Sequence, residues 1–103
     1  MTTSQAAVFQ QINAALDMIQ QELAVANAQP PGVERCLRLA ELADAEAAWW
    51  AELSEHTRLR VCWRAAQAAR EYALQTVRLW RQQATAYDTG KPVPASQLET
   101  GAV

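Results

Sequence analysis

The chain has 103 residues, of which 50% are hydrophobic, with only 3 Gly and 4 Pro. Glycine and proline this sparse exclude a turn-rich β-sandwich and a low-complexity chain, and the length allows one domain. A formal charge of −2 gives no general case for binding nucleic acid or a membrane surface. Because 22 residues are Ala and few are β-branched, the composition predicts a helical protein.

The first predicted helix covers about residues 4–28. Apolar residues recur there at spacings of three and four, which is typical of a seam packed against another helix. The seam consists of Phe9, Ile12, Leu16, Ile19, Leu23 and Ala26. Residues 29–32 contain two prolines and a glycine, so they end this helix.

The second predicted helix covers about 33–53, and its wide apolar arc indicates contact with two neighbouring helices. The third covers about 57–87, and its predicted buried arc begins at Leu59. No Gly or Pro separates the two, so one nearly continuous helix is the alternative. The centre of the apolar arc shifts by about 110° between them, which favours a break near residues 54–57 with Ser54 or Thr57 as the cap.

These elements predict an all-α, three-helix bundle in a single domain over residues 1–87. The residues after it, 88–103, offer too little apolar surface to offset the entropy lost on ordering, so we expect a flexible tail. Alanine-rich helices of unequal length leave apolar edges uncovered. We therefore expect the bundle to form a homo-oligomer, most simply a symmetric dimer that makes a larger helical bundle.

Catalytic and metal-binding chemistry is poorly supported by the sequence. The one histidine, His56, lies at the predicted helix junction, and Leu53 stands where a Glu-x-x-His metal motif needs glutamate. Cys36, Cys62 and His56 are too few and too scattered for a zinc site. We therefore expect a non-enzymatic protein without cofactor or metal. Two cysteines make no disulfide framework, and neither a signal peptide nor a membrane span is recognisable, which predicts a cytoplasmic protein.

Charge is divided unevenly along the chain. Residues 1–55 carry a formal charge of −6, and residues 56–103 carry +4. The simpler interpretation is that an acidic helix and a basic helix pack side by side within one bundle, with ion pairing to the acidic face of the second helix in the same or another subunit. The other is that the third helix presents an arginine face to an acidic partner. That face contains Arg60, Arg64, Arg70, Arg78 and Arg81.

The chain contains four tryptophans, which is a large number for the single small core that 103 residues can form. We expect Trp50 and Trp80 to fill the core among the alanines. Trp49 and Trp63 lie at the edges of their apolar arcs, where a core role and an interface role are equally compatible with the pattern. Both are therefore candidate partner-binding residues, because tryptophan is enriched in interface hot spots.

The leading functional hypothesis is a helical protein–protein interaction module of the adaptor, chaperone-like or regulatory type. The alternative is a nucleic-acid-associated regulator that uses the arginine face, since arginine beside an aromatic side chain suits phosphate and base recognition. Glu71 interrupts that face and lysine is nearly absent, which counts against it. A lesser alternative is a small-molecule binder with a pocket near Trp50 and Trp80. We expect no membrane partner.

Overall fold

The computed structural model describes residues 3–90, and all regular structure among them is helical. Helix α1 covers Thr3–Asn27, α2 covers Val33–His56 and α3 covers Arg60–Asp88. The predicted all-α, three-helix fold is confirmed. The flexible tail predicted for 88–103 lies outside the described residues from residue 91 onward.

The predicted break between α2 and α3 is confirmed, and it lies at residues 57–59, slightly later in the chain than the predicted residues 54–57. Helix α2 continues past residue 53 to His56, and α3 begins at Arg60 rather than at 57. Ser54 does not cap the next helix, because its Oγ donates a 2.7 Å hydrogen bond to the carbonyl oxygen of Ala51 within α2. Residues 57–59 are not helical, and the backbone is extended at Thr57 and at Leu59. One continuous helix is therefore excluded.

Helix α2 lies between the other two helices. It packs extensively against α3 and less extensively against α1, whereas α1 and α3 make at most marginal contact. The α1–α2 cluster contains Ile19, Ala26, Leu39 and Leu42, and the α2–α3 cluster contains Ala40, Ala43 and Val77. Trp80 packs against both clusters. The two-sided apolar arc predicted for α2 is thus confirmed.

Small side chains dominate the contact between α2 and α3. The buried alanines there are Ala40, Ala43, Ala47, Ala66, Ala73 and Ala84. Alanine has no side chain beyond Cβ, so two helices can approach each other closely along such a stripe. The resulting domain is long and thin, with Cα extents of 53 × 23 × 17 Å. Most of its side chains therefore lie near a surface.

The predicted burial of Leu59 is wrong. Helical periodicity placed it in the buried arc of the third helix, yet it is 64% exposed. The reason is local, because Leu59 is the N-cap of α3 and its backbone is extended, so the 100° spacing of a helix does not extend to it. Thr57 Oγ1 accepts a 3.4 Å hydrogen bond from the Leu59 N–H, and α3 has no side-chain cap.

Candidate interaction surface

The arginines of α3 lie on two neighbouring sides of the helix. Arg60, Arg64 and Arg78 are exposed and, by helical periodicity, share its outer face, opposite α2. Arg70 and Arg81 lie at spacings of 7 and 18 residues from Trp63, so these three occupy one flank. Arg81 is exposed and Arg70 is partly buried. The structure therefore brings six of the seven predicted interface residues onto one helix.

None of these arginines forms an ion pair with a carboxylate among residues 3–90. The ion pairs in that part of the chain join Arg38 to Glu22 and to Glu41, each at 3.2 Å. His56 Nδ1 lies 3.6 Å from Glu52 Oε1, a contact that is an ion pair only when the ring is protonated. The prediction that the acidic and basic helices pack side by side is confirmed, but no ion pair joins α2 to α3 among the described residues. The rotation of the two helices turns their charged faces outward.

Trp63 is one of two exposed aromatic residues on this helix, with 47% of its surface accessible to solvent; the other is Tyr72. Trp63 belongs to the segment 58–64, in which Leu59, Val61 and Trp63 occupy every second position and three of the other four positions are arginine. Leu59 and Val61 in this segment are 64% and 74% exposed. Sequence reasoning missed these two as surface residues. The alternation was the available signal, because a single buried helical stripe does not place apolar residues at every second position.

Trp49 lies elsewhere, in the contact between α1 and α2. It is partly buried and packs against the cluster that contains Ile19 and Leu42. It also borders a cleft of about 280 Å³ that Val8 and Ile12 line from α1. The structure therefore does not bring Trp49 and Trp63 together on one surface.

An acidic face runs along α2 on the side away from its buried arc. Its exposed acidic members are Glu34, Glu41, Asp44 and Glu55. Leu37 lies among them and is 49% exposed. Helix α1 packs on a different side of α2, the one that carries Leu42 and Ala45. Sequence reasoning did not single out Leu37, because one apolar residue in an acidic stretch shows no periodicity.

The small-molecule hypothesis gains no support from the clefts described. Clefts of about 490 and 380 Å³ lie at the turn between α1 and α2, and Ala26, Gln29 and Arg38 line both. Neither these two nor the cleft at Trp49 is lined by Trp50 or Trp80. Trp50 instead donates its indole N–H to Glu46 Oε1 at 3.2 Å.

The two cysteines do not share a site. Cys36 is buried near the start of α2, whereas Cys62 is partly buried near the start of α3, at the other end of the α2–α3 pair. Burial raises the pKa of the Cys36 thiol, and the charge of the adjacent Arg35 lowers it by less. Across residues 3–90, His, Cys, Asp and Glu do not gather in a group of three or more that could hold a metal ion.

Comparison with known proteins adds no relative. The chain matches no family model, and no curated protein or solved structure is significantly similar to it. Within residues 3–90, every helix is too short or too polar to span a membrane.

Proposed function

We propose that the chain is a helical protein-interaction module that binds an acidic protein surface through α3. The observation that carries this proposal is the unpaired state of the α3 arginines beside an exposed Trp63, within residues 3–90. Arginine and tryptophan are among the residue types most enriched at interface hot spots. A guanidinium group also binds carboxylates with two parallel hydrogen bonds, which suits an acidic protein partner.

The same arginines support the nucleic-acid alternative less well. Glu71 lies on the outer face with Arg60 and Arg64, and the neighbouring α2 presents its acidic residues to solvent. A phosphate backbone needs a continuous basic surface, since its affinity comes from the number of phosphates neutralised. A protein partner is favoured because its own surface charges can match a mixed pattern.

The test is capture of proteins from the source cell by the tagged chain and by two variants. Trp63→Ala removes the exposed indole, and we expect it to abolish retention of the specific partner. Tyr72→Ala is the matched control, because Tyr72 is 58% exposed and lies about half a helical turn round from Trp63. We expect it to retain the partner. Equal capture by all three proteins, with equal helicity in circular dichroism, would refute the proposed surface.

A second experiment distinguishes a protein-binding function from a nucleic-acid-binding function. Duplex DNA and a single-stranded RNA are titrated with the chain at increasing salt concentration. We expect no retardation at physiological salt. Retardation that weakens steeply with salt and is lost in Arg64→Ala with Arg78→Ala would instead establish the nucleic-acid function.

A further inference from the structure

We infer that a second copy of this chain packs against the outer face of α1, so that the two α1 helices form an antiparallel, two-fold contact. This face, which we name the outer seam, is the side of α1 that lies away from α2. Its members are all exposed, and they are Ala7, Gln11, Ala14, Met18, Gln21 and Val25. The inference goes beyond the proposed function, because it concerns a different helix from α3.

Helix α1 carries much less charge than the other two helices. It has two charged residues among 25, whereas α2 has eight among 24 and α3 has seven among 29. The two are Asp17 and Glu22, of which Glu22 pairs with Arg38 of α2, and neither belongs to the outer seam. A helix that packs on its own core ordinarily carries charge on the opposite face, whereas the centre of a protein interface is depleted of charge. The outer face of α1 therefore has the composition of an interface.

The outer seam also repeats as a helix-packing surface does. Its successive members are four, three, four, three and four residues apart, which is the spacing of side chains that pack along a neighbouring helix. By helical periodicity it lies about 150° round α1 from the buried side that carries Ile12 and Ile19. Met18 and Val25 are consequently 61% and 63% exposed. Helix α1 thus has two packing faces, and a single chain covers only one of them.

The order of these spacings reads the same in both directions, and this identifies α1 of a second copy as the occupant. When two α1 helices lie antiparallel with residue 16 of each at the same level, every position of the outer seam meets a position of the partner's seam. The facing pairs are Ala7 with Val25, Gln11 with Gln21, and Ala14 with Met18, and each pair occurs twice. Each large apolar side chain then faces an alanine. The two glutamine amides face each other, and each has both hydrogen-bond donors and an acceptor.

A two-fold axis produces this arrangement. The axis lies in the plane of contact and crosses α1 at right angles, at the level of Leu16. Rotation about this axis reverses the direction of α1 and turns the outer seam of one copy towards that of the other, so the contact is face to face and closed. Helix α2 packs on the other side of α1, and α3 packs on α2, so neither obstructs the approach. The six positions extend over about 27 Å of helix, at about 1.5 Å per residue.

The experiment introduces one charge on each side of a facing pair. Ala14→Glu and Met18→Lys each place an unpaired charge in the contact twice, so we expect each homodimer to weaken by more than about tenfold. When the two variants are mixed, the introduced carboxylate of one chain faces the introduced ammonium group of the other, and the second such pair stays alanine with methionine. We expect a heterodimer of twice the 11.4 kDa chain mass in sedimentation velocity.

Asn13→Glu is the matched control for Ala14→Glu. Asn13 is exposed on the same helix, and it lies about 120° round α1 from the centre of the outer seam. The substitution adds the same charge outside the contact, so we expect the homodimer to form as in the wild type. Glutamate and lysine both favour helix, and circular dichroism verifies that all three variants keep the helicity of the wild type.

Three outcomes overturn the inference. They are a wild-type chain that sediments as a monomer at every soluble concentration, a dimer that neither charged substitution weakens, and mixed variants that do not associate. Trp63→Ala distinguishes this contact from the surface on α3, because we expect it to lose the captured partner and keep the dimer. A monomeric wild-type chain that still captures a protein through Trp63 would leave the proposed function standing and remove only the dimer.

Discussion

The Gln67 side-chain amide donates a 3.0 Å hydrogen bond to Ser54 Oγ, which joins α3 to α2 across an interface made mainly of alanine. Ser54 is only 8% exposed, and its hydroxyl donates in turn to the carbonyl oxygen of Ala51. Alanine stripes allow neighbouring helices to slide past one another, because each position resembles the next. The hydrogen bond between Gln67 and Ser54 favours one alignment of α3 along α2, because any other alignment leaves these two polar side chains without their partners.

Ser54 and Gln67 are expected to contribute to stability as a pair. Ser54→Ala and Gln67→Ala should each destabilise the fold, and the double variant should lose less than the sum of the two. The expected coupling energy is about 1 kcal/mol, which is the usual net value of one such hydrogen bond. Urea denaturation followed by circular dichroism at fixed protein concentration measures all four proteins. Strictly additive losses would show that the bond contributes nothing to the folded state.

Close approach of α2 and α3 depends on alanine at buried positions. Ala73 is 3% exposed in this contact, and Ala73→Leu forces a larger side chain between the helices. We expect a loss of about 1–3 kcal/mol, the usual cost of overpacking. Ala68→Leu is the control, because Ala68 is exposed on the same helix, and we expect a change within about 0.5 kcal/mol. Equal thermal unfolding temperatures for the two variants would contradict the packing described.

Stability should fall at alkaline pH because of Cys36. Burial raises the pKa of this thiol above its ordinary value of 9.0, so the folded state disfavours the thiolate. The stabilisation is complete below that value and is lost as the pH rises through the folded pKa, because unfolding then releases a proton. Chemical denaturation from neutral to alkaline pH measures the effect. The difference in unfolding free energy between wild type and Cys36→Ala should shrink above pH 9.0.

Iodoacetamide labelling provides an independent check on the same thiol. Cys62 is partly buried and should react first, while Cys36 is buried and should react only on opening of the α2–α3 contact. Equal labelling rates in native buffer would contradict the burial of Cys36.

The helical periodicity of the sequence was enough to predict the fold. The seam of α1 repeats strictly, so Ile12, Ile19 and Ala26 could be assigned to the core, and all three are buried. The end of α2 could not be predicted, because it depends on tertiary and local bonds. Serine is a residue type that often caps helices, so the sequence marks Ser54 as a candidate cap. Its hydroxyl instead donates a hydrogen bond to the Ala51 carbonyl and accepts one from Gln67, and helical periodicity does not predict these bonds.

The candidate surface could be predicted only in part. Trp63 and the arginines were identifiable from residue type and spacing, and the structure places them on α3. The acidic and basic helices pack side by side as predicted, but no ion pair joins them among residues 3–90, because charge counts on adjacent helices do not specify how each helix is rotated. Leu37 was not identified as an exposed apolar residue, because a single leucine in an acidic stretch shows no helical periodicity.

Trp80 has a consequence for how the domain unfolds. Helices α1 and α3 each pack on α2 and scarcely touch each other, so the fold consists of two helix pairs that share one member. Among the described residues, Trp80 is the side chain that packs against the clusters of both pairs. This indole therefore couples the melting of α1 to that of the α2–α3 pair. Without it, we expect α1 to unfold as a separate cooperative unit, so that unfolding takes place in two transitions rather than one.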